Sequence, residues 1–302
     1  MFEKIKKMIN NPNLISQWII TWKIFNLLPD KAYLKLKYKI IMGKRLNLEN
    51  PQTFNEKLQW LKLYDRKPEY TMMVDKYEVR KYIAETIGEE YLIPLLGVWD
   101  NFDEIDFENL PEQFVLKCTH NSGSIIICKD KSKLDINKVR KNMNSYLKRN
   151  HYWNAREWPY KNVKPRIIAE RFMEDESGYE LKDYKLMCFN GEPKCLFVCL
   201  NRYSSDGLNV DFYDMNWEPM PFERKYKNSG SQLKKPENFN SMIELSRVLS
   251  KHHQFLRTDF YEANGRLYLG ELTFHPGSGF EEFRPDEWDK KLGDWLLLKE
   301  TD

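Results

Sequence analysis

Two carboxylates near the end of the chain, Asp259 and Glu271, lie twelve residues apart on either side of the turn sequence Asn264-Gly265. They belong to the segment RTDFYEANGRLYLGELTFHPGSG, whose pattern around the turn is typical of a β-hairpin. Oxygen ligands of this kind suit Mg²⁺, which binds one or two protein carboxylates and completes its shell with water and phosphate oxygens. The segment therefore predicts a magnesium site, provided that both carboxylates point to the same face.

The length of the turn decides whether the two side chains share a face, because side chains alternate along a strand. A two-residue loop of Asn264 and Gly265 would send Asp259 and Glu271 to opposite faces. A three-residue loop that starts at Ala263 and ends in a bulge with a left-handed Gly265 would bring them together. We expect the three-residue loop. The side chains that then share one face are Arg257, Asp259, Glu271 and Thr273.

A lysine and a small polar turn in the middle of the chain could hold a phosphate group. Lys117 ends the predicted strand FVLK and precedes the loop HNSGS at 120–124. Backbone N–H groups of such a turn can point at phosphate oxygens while the lysine neutralises their charge. The pattern GxxxxGK[ST] is absent, which excludes a P-loop NTPase, and the absence of GxGxxG disfavours a dinucleotide-dependent dehydrogenase.

Further charged residues lie on predicted strands or at their ends. Asp183 and Lys185 are two residues apart on one strand and therefore face the same side. Arg202 ends the next strand, and Glu170 lies in the strand end AERFM. Together with Lys117 and the last hairpin, they form an alternating set of acids and bases, as a nucleoside triphosphate with Mg²⁺ would need.

The elements that must position these residues are antiparallel hairpins with helices between them. Thr53 and Glu56 form a capping box that opens the helix EKLQWLKLYDR, and a second helix is predicted from Asp75 to Ile87. Strands are predicted in FVLKC, IIICK, RIIAERF, DYKLMCF, PKCLFVCLNR, FLRTDFYEA and RLYLGELTF, and further helices near 135–149 and 240–252. This order of elements predicts an α+β fold class.

Composition excludes several other classes of protein. The 302 residues are 41% hydrophobic and 14% aromatic, which is typical of a globular chain with a buried core. The five cysteines form no CxxC pair and the five histidines show no HExxH spacing. We therefore expect neither a disulfide framework nor a zinc site, and a cytoplasmic location fits best. A net charge of only +3 argues against a nucleic-acid partner.

Residues 1–45 are strongly basic, with ten Lys or Arg and two acids. Within them, the stretch Leu14–Leu28 is too short and too polar for a membrane span, because Gln17 and Lys23 interrupt it. It predicts an amphipathic basic helix. Two interpretations stay open: a helix packed on the body of the protein, or a peripheral contact with anionic lipid at the inner face of the membrane.

Seven segments follow one another along the chain in a specific order: LPDKAYLKLKYK, NPQTFNEKLQWLKLYDR, VDKYEVR, LPEQFVLKCTHNSG, REWPYKNVKPRIIAERF, DYKLMCFNGEPK and GELTFHPGSGF. Together they resemble the TupA-like branch of the ATP-grasp superfamily, which is associated with teichuronopeptide and other bacterial surface-polysaccharide synthesis. The resemblance covers most of the chain. It implies an ATP-grasp fold, in which two α+β subdomains clasp ATP, with a helical N-terminal extension.

The same resemblance implies a division of the chain and roles for individual residues. The implied parts are a basic helical region at 1–70, a small N-terminal part of the ATP-grasp unit at 71–115, a lid subdomain with the phosphate loop at 116–180 and a core subdomain with the Mg/ATP site at 181–302. The residues implied to bind ATP are Lys76 and Lys117 at the phosphates, Ser122, Gly123 and Ser124 in the flap over them, Glu170, Arg171, Phe172 and Met173 in the hinge that reads adenine, and Asp183 at the ribose.

Catalysis, metal binding and acceptor binding are assigned in the same way. The residues implied in catalysis are Arg257, which would steady the transferring phosphoryl group, and Lys185 and Arg202, which would contact phosphate. The implied ligands of one or two Mg²⁺ ions are Asp259, Glu271 and Thr273, with Thr273 in place of the family's usual Asn. The residues implied at the acceptor are His275, Gly277, Ser278 and Gly279.

The chemistry that the resemblance implies is the ATP-dependent joining of a carboxylate to an amine. The carboxylate attacks the γ-phosphate of ATP to form an acyl phosphate, and the amine then displaces phosphate to leave an amide. The branch suggests a uronic-acid carboxylate of a surface glycan or its precursor as the acceptor, and an amino acid or amino alcohol as the amine. His275 could act as a base for the amine, but of the two roles we expect a structural hydrogen bond.

Three alternatives stay open. A sugar kinase on the same fold would share every ATP residue and differ only at the acceptor. A glycosyltransferase of polysaccharide synthesis commonly uses a DxD motif, and no two aspartates here are two residues apart. A non-catalytic membrane scaffold would not need Asp259 and Glu271.

Overall fold

The computed structural model of the chain describes residues 12–175, 178, 181–201 and 207–299. The α-helices are α1 (Pro12–Ile19), α2 (Asp30–Met42), α3 (Phe54–Tyr64), α4 (Glu69–Val74), α5 (Val79–Thr86), α6 (Ile136–Leu147), α7 (Tyr152–Ala155), α8 (Phe239–Ser250) and α9 (Glu287–Trp295). The strands are β1 (Leu95–Trp99), β2 (Phe114–Cys118), β3 (Ile125–Cys128), β4 (Ile167–Arg171), β5 (Asp183–Phe189), β6 (Glu192–Leu200), β7 (Asn209–Asp214), β8 (Glu223–Arg224), β9 (Phe255–Ala263), β10 (Arg266–Thr273) and β11 (Phe283–Arg284). Shorter elements include the 3₁₀ helix Trp158–Tyr160 and the turn Pro276–Gly279, in which Gly277 and Ser278 are left-handed.

Two antiparallel sheets form the body of the protein. One has four strands in the order β1-β4-β2-β3, and the other has five in the order β10-β9-β5-β6-β7. The predicted α+β class is confirmed. Helix α6 packs on the smaller sheet through Val139 and Met143, while α8 packs on one face of the larger sheet. Helices α3 and α9 share a second core with the larger sheet, centred on the fully buried Phe54.

The predicted helix that opens at Thr53 is confirmed with its capping box. The Thr53 side chain accepts a hydrogen bond from the Glu56 backbone N–H at 3.2 Å, and the Glu56 carboxylate accepts one from the Thr53 N–H at 3.1 Å. These bonds satisfy two of the N–H groups that a helix start leaves without partners. The entry to α3 is thereby fixed, and this helix later proves to contact the candidate site.

Two helix predictions need correction. The helix predicted from Asp75 begins only at Val79, because the Asp75 carboxylate accepts the N–H of Tyr77 at 2.8 Å and folds that segment into a turn. The helix predicted over Leu14–Leu28 is not continuous, because α1 ends at Ile19 and a 3₁₀ helix occupies Lys23–Leu27. No helix in the described part of the chain has the length and apolar character to cross a bilayer.

The last hairpin differs from the predicted register but reaches the predicted outcome. Its loop has two residues, since Ala263 pairs with Arg266, and Asn264 and Gly265 both have positive φ. That geometry is typical of the tight turns that Asn-Gly forms between strands. The three-residue loop was therefore wrong. The register instead shifts at a bulge between Leu269 and Glu271, at Gly270.

The bulge has the effect that the sequence argument assigned to the turn. Beyond it, Asp259 pairs with Glu271 and Arg257 pairs with Thr273. Directly paired residues of antiparallel strands project to the same face. One extra residue in β10 thus brings the two carboxylates together.

Candidate nucleotide and metal site

Arg257 lies at the centre of the polar groups on the last hairpin. Its Nε and Nη2 donate to Asp259 Oδ1 and Oδ2, both at 2.6 Å, as a bidentate pair. The same Nη2 donates to Thr273 Oγ1 at 3.0 Å and lies 3.7 Å from Glu271 Oε2. The three side chains predicted to bind magnesium therefore surround one positively charged nitrogen.

Lys185 of β5 connects this group to the neighbouring strand. Its ammonium donates to the Asp259 carboxylate and lies 2.6 Å from Asp183 Oδ2. Strand β5 pairs with β9 so that Lys185 is opposite Asp259. Because Asp183 and Lys185 are two residues apart, both face the same side as the acidic pair.

Burial and mutual pairing set the charge of these groups. Burial alone would raise the pKa of Glu271, but Lys76, Arg257 and Lys185 hold it down at about 2. Burial raises the pKa of Asp259, against the opposing effect of Arg257 and Lys185. Burial would also lower the pKa of Arg257, but Asp259 and Glu271 raise it above its ordinary value. The cluster thus keeps its cations charged in the interior, where they can neutralise an added polyanion.

Lys76 reaches the same cluster from the segment between α4 and α5. Its ammonium lies 3.4 Å from Glu271 Oε1 and donates to the Asn121 carbonyl at 2.8 Å. Its backbone N–H donates to the Thr119 carbonyl at 3.2 Å. The structure therefore places the predicted phosphate lysine between the acidic hairpin and the loop that was predicted to cover the phosphates.

That loop has an open tip. Ser122 and Gly123 are exposed, whereas Ser124 is buried and its carbonyl accepts the Cys118 N–H at 3.0 Å. Gly123 has φ +77° and a Cβ built there would meet nothing within 4 Å. The left-handed backbone explains the glycine, and the free space leaves room for a group to bind against the tip.

A largely apolar cavity opens between the two sheets. Six residues predicted to bind ATP line it: Lys117, Glu170, Arg171, Phe172, Met173 and Asp183. The remaining lining residues are mainly apolar or aromatic, and they include Ile93, Val115, Ile125, Ile127, Leu181 and Tyr261. An apolar slot with a few charged groups at its ends is the kind of site that binds a flat heterocycle joined to a polar tail.

The charged end of the cavity contains a second buried ion pair. Lys117 donates to Glu170 Oε2 at 2.6 Å, and Arg80 Nη1 lies 3.7 Å from Glu170 Oε1. Glu170 is 6% exposed, and both cations compensate the charge of this one buried carboxylate. A nucleotide phosphate could therefore recruit Lys117 while Arg80 still compensates Glu170.

The predicted acceptor residues lie directly after Thr273: His275 precedes the turn Pro276–Gly279, and Gly277, Ser278 and Gly279 belong to it. His275 is buried, and burial lowers its pKa to about 3 against the opposing effect of Glu157. It is therefore neutral at physiological pH. Ser278 donates from Oγ to Glu157 Oε1 at 2.5 Å. Gly277 and Gly279 have φ of +57° and +62°, as does Ser278 at +54°, which makes this a left-handed turn.

A magnesium ion fits the residues on the hairpin. Among the residues that the structure describes, no three His, Cys, Asp or Glu side chains form a ready metal cluster. Asp259 and Glu271 supply two carboxylates and Thr273 a hydroxyl, and all three already surround a cationic nitrogen. Two carboxylates and a hydroxyl match the preference of Mg²⁺ for oxygen ligands, and water and phosphate oxygens would complete its shell.

Most predicted site residues are brought together, and one cannot be placed. The hairpin cluster contacts Lys76 through Glu271, and it reaches the cavity through Asp183, which lines the cavity and contacts Lys185. Arg202 lies outside the described residues. Arg80 and Tyr261 were missed by the sequence argument. The quoted segment VDKYEVR contains Arg80, and its proximity to Lys76 was the available signal.

One protein family matches this sequence. The sequence profile of the family described as TupA-like ATPgrasp matches residues 56–297. A search of curated proteins finds no significant match.

Solved structures show a more distant likeness. The D-alanine–D-alanine ligase from Bacillus anthracis has 13% identity and a TM-score of 0.40, over 67% of this chain and 57% of that one. The corresponding Helicobacter pylori ligase has 15% identity and a TM-score of 0.41, over 82% and 70%. The L-amino acid ligase from Bacillus licheniformis has 13% identity and a TM-score of 0.46, over 90% and 63%. The chain thus spans less than two thirds of the first and last of these, and the family match identifies the fold.

Proposed function

The chain belongs to the TupA-like ATP-grasp family, and from this premise we propose that it is an ATP-dependent ligase that joins a carboxylate to an amine through an acyl phosphate. The observation that carries the proposal is the arrangement around Arg257 Nη2, which Asp259, Thr273 and Glu271 approach to within 2.6, 3.0 and 3.7 Å. Such a group of oxygen ligands beside an apolar cavity is what Mg²⁺ and a nucleoside triphosphate require.

Each end of ATP has residues suited to it. The adenine would enter the cavity against the backbone of Glu170, Arg171, Phe172 and Met173, and Asp183 would face the ribose. Lys117 and Lys76 would contact the phosphates, under the loop that contains Ser122, Gly123 and Ser124. Magnesium would be held by Asp259, Glu271 and Thr273, and it would neutralise charge on the phosphate oxygens.

Catalysis by this chain is then mainly alignment and charge compensation. In the structure Arg257 and Lys185 both bind Asp259. With Mg²⁺ held by Asp259 and Glu271, Arg257 and Lys185 would be available to contact the transferring phosphoryl group. The carboxylate of the acceptor attacks the γ-phosphate, ADP leaves, and the amine then displaces phosphate from the acyl phosphate. The protein need supply no covalent nucleophile.

We propose a uronic-acid carboxylate of a bacterial surface polysaccharide or its precursor as the acceptor, and an amino acid or amino alcohol as the amine. The acceptor would approach the turn Pro276–Gly279, which follows the metal ligands in the chain. This substrate class follows from the branch resemblance of the sequence. The division of the chain at 70, 115 and 180 is likewise a proposal. In the structure, β1 (Leu95–Trp99) belongs to the same sheet as the strands after 115.

The decisive experiment measures ADP release with Mg²⁺ and ATP across uronic acids and sugar nucleotides, with and without amines. Hydroxylamine is added in parallel, because it traps an acyl phosphate as a hydroxamate. We expect ADP release that depends on the carboxylate, together with hydroxamate. Full ADP release without any carboxylate would overturn the ligase, and ADP release with sugar but no hydroxamate would identify a kinase.

We further propose that the N-terminal region contacts anionic membrane. Four large apolar side chains there are substantially exposed: Trp18 (54%), Trp22 (47%), Ile24 (65%) and Leu27 (83%). Lysines follow in α2, as in interfacial helices that bind anionic lipid. Deleting residues 1–45 would be a poor test, because Tyr33 and Leu34 of α2 are core residues.

Point substitutions give a cleaner test of this contact. Replacing both Trp18 and Trp22 by Ser should abolish sedimentation with vesicles of anionic lipid, because both rings are exposed. Trp153→Ser removes a tryptophan that is 39% exposed on α7 and should leave sedimentation unchanged. Equal binding by the wild type to neutral and anionic vesicles would count against the proposed charge dependence.

A further inference from the structure

The turn Pro276–Gly279 is held in place by side chains that lie outside the nucleotide site. Helix α3 runs along the turn. Three of its side chains, at positions i, i+4 and i+7, donate hydrogen bonds to backbone carbonyls of the turn or of Glu281, two residues after it. Asn55 Nδ2 donates to the Glu281 carbonyl at 2.9 Å. Gln59 Nε2 donates to the Gly279 carbonyl at 2.7 Å and to the Ser278 carbonyl at 3.1 Å.

Lys62 completes this row of donors. Its ammonium donates to the Ser278 carbonyl at 2.7 Å and to Gln59 Oε1 at 2.9 Å, and it lies 4.6 Å from the centre of the Phe280 ring. The side chain is 0% exposed. Removing an ammonium from water is costly unless it is well paired, so a fully buried lysine bonded to a loop carbonyl is a specific feature.

The glycine at the end of the turn is explained by the same helix. A Cβ at Gly279 would lie 2.5 Å from Gln59 Nε2, 2.9 Å from Leu58 Cβ and 3.3 Å from the Asn55 carbonyl oxygen. Gly279 also has φ +62°. The turn therefore approaches α3 as closely as backbone can, and its left-handed form is fitted to the helix surface.

Two further buried charges hold the turn from its other sides. Glu157 accepts the Ser278 hydroxyl at 2.5 Å, and it lies 3.9 Å from His275 Nδ1. Arg224 Nη2 donates to the Pro276 carbonyl at 2.7 Å. Both side chains are 3% exposed. None of the groups that hold the turn is among the residues assigned to ATP or metal.

We infer that Lys62, acting with Gln59, is a positioning residue for acceptor binding: it fixes the backbone of Ser278 and Gly279, and so the surface on which the acceptor is oriented beside the metal ligands. The inference rests on the proposed function, since it takes the turn as the acceptor side. A displacement of about 1 Å at a substrate-orienting group can cost roughly a hundredfold in rate. Loss of the contact should therefore change acceptor kinetics and leave nucleotide binding unchanged.

The test compares Lys62→Met with Lys57→Met. Both lysines lie on α3 and donate to backbone carbonyls. Lys57, however, donates to Gly293 and Leu296, at 2.8 Å each, on the side away from the turn. Lys62→Met should raise the acceptor KM ten- to hundredfold with the ATP KM within twofold. Lys57→Met should leave both KM values within twofold, whatever it costs in stability.

A second measurement does not depend on turnover. Hydrogen exchange of the peptide that covers residues 275–281 should be at least tenfold faster in Lys62→Met and unchanged in Lys57→Met, while peptides from β4 and β5 stay as in the wild type. If Lys62→Met does not fold, Gln59→Met takes its place, because it removes the hydrogen bonds to the Ser278 and Gly279 carbonyls and keeps the charged lysine.

The outcomes separate this inference from the proposed function. Unchanged exchange in Lys62→Met, or an acceptor KM within twofold of the wild type, would overturn the inference. Equal rises in both KM values in both variants would show a general loss of structure and would also overturn it. Faster exchange in a protein that releases no ADP with any carboxylate would keep the holding role of Lys62 and overturn the ligase proposal.

Discussion

The acidic hairpin and the turn that follows it are adjacent in the chain but are held in place differently. On the hairpin, the charged groups bind one another, since Arg257 and Lys185 both contact Asp259. In the turn, the backbone itself is bound, by Gln59 and Lys62 of α3, by Arg224 and through the Ser278 hydroxyl by Glu157. On the proposed function, the charged groups of the hairpin would exchange partners when a ligand binds, whereas the turn is already held in place without one.

This difference fits what each region would have to do. A metal ion and a triphosphate carry large charges of opposite sign. They can replace the existing partners of the charged side chains without leaving any of these side chains buried and unpaired. A neutral or singly charged acceptor brings little electrostatic energy. Its orientation must come from a surface that is already rigid, because ordering a mobile loop would cost binding free energy.

The largest effect is expected from Asp259→Asn, which tests the hairpin's exchange of partners. Asn keeps the shape of the side chain but leaves Arg257 and Lys185 without their shared buried carboxylate. We expect ADP release to fall more than a thousandfold. Breaking a buried pair from one side should also cost roughly 3–5 kcal/mol of stability, measured by urea unfolding.

Asp211→Asn is the matched control for that variant. Asp211 is also a buried acid of the same sheet, and it binds the Ser229 N–H at 2.6 Å instead of a cation. It should lose stability but keep ADP release within about threefold. Turnover retained in Asp259→Asn would remove the metal assignment.

A smaller effect is expected from Gly270→Ala, which tests how the bulge connects the hairpin to the cavity. A methyl group at this position would lie 2.5 Å from Tyr261 Cε2, and Tyr261 lines the cavity. The ring must move, so we expect nucleotide affinity to fall about tenfold, or about 1.4 kcal/mol. Calorimetric titration with ATP and Mg²⁺ measures this.

Two further variants make the Gly270 experiment specific. Tyr261→Leu in the Gly270→Ala background should recover part of the affinity, because the shorter side chain leaves room for the methyl group. Gly265→Asn changes the turn residue of the same hairpin, where φ is +71° and no atom lies within 4 Å, so affinity should not change. If the turn variant weakened binding more than the bulge variant, the bulge would not be the controlling feature.

These features differ in how far the sequence reveals them. The hairpins at Asn190-Gly191 and Asn264-Gly265 follow from local turn chemistry, and the carboxylate pair follows from residue type. The register of the last hairpin does not follow from either, because a single glycine inside a strand can mark a bulge but does not show which residues the bulge brings opposite each other.

The contacts that hold the turn were hidden for another reason. Lys62 and Ser278 are 216 residues apart, and nothing local links them. The spacing of Asn55, Gln59 and Lys62 does place three polar side chains on one face of α3. That pattern could have shown a buried polar face, but a solvated helix surface has the same spacing. Only the packing of α3 against the turn separates the two.

A buried histidine near the turn predicts how the stability of the folded chain depends on pH. His253 is 8% exposed and packs against Tyr70 and against Phe274, just before the turn. Burial lowers its pKa to about 4, with Lys67 and His252 acting in the same direction. The unfolded chain therefore binds a proton at this histidine before the folded chain does. Stability should fall as pH drops from 6.5 towards 4.

His253→Phe should remove this part of the pH dependence. Between pH 7 and pH 4, the free energy of unfolding of the wild type should fall by about 2–3 kcal/mol more than that of the variant, measured by urea unfolding. His252→Gln, at the exposed neighbouring position, should keep the wild-type dependence. A parallel pH profile for His253→Phe and the wild type would contradict the burial of a neutral imidazole.

The smallest effect is expected at Thr273, the residue where hairpin and turn meet. Its hydroxyl accepts from Arg257 at 3.0 Å and is the third oxygen of the proposed metal site. An amide carbonyl is a better magnesium ligand than a hydroxyl, and a methyl group is none. Thr273→Asn should therefore lower the Mg²⁺ concentration needed for half-maximal ADP release about threefold, and Thr273→Val should raise it by a similar factor. A shift of both variants in the same direction would mean that Thr273 acts by packing beside Arg257 and not as a ligand, which would leave the two carboxylates as the metal's whole protein shell.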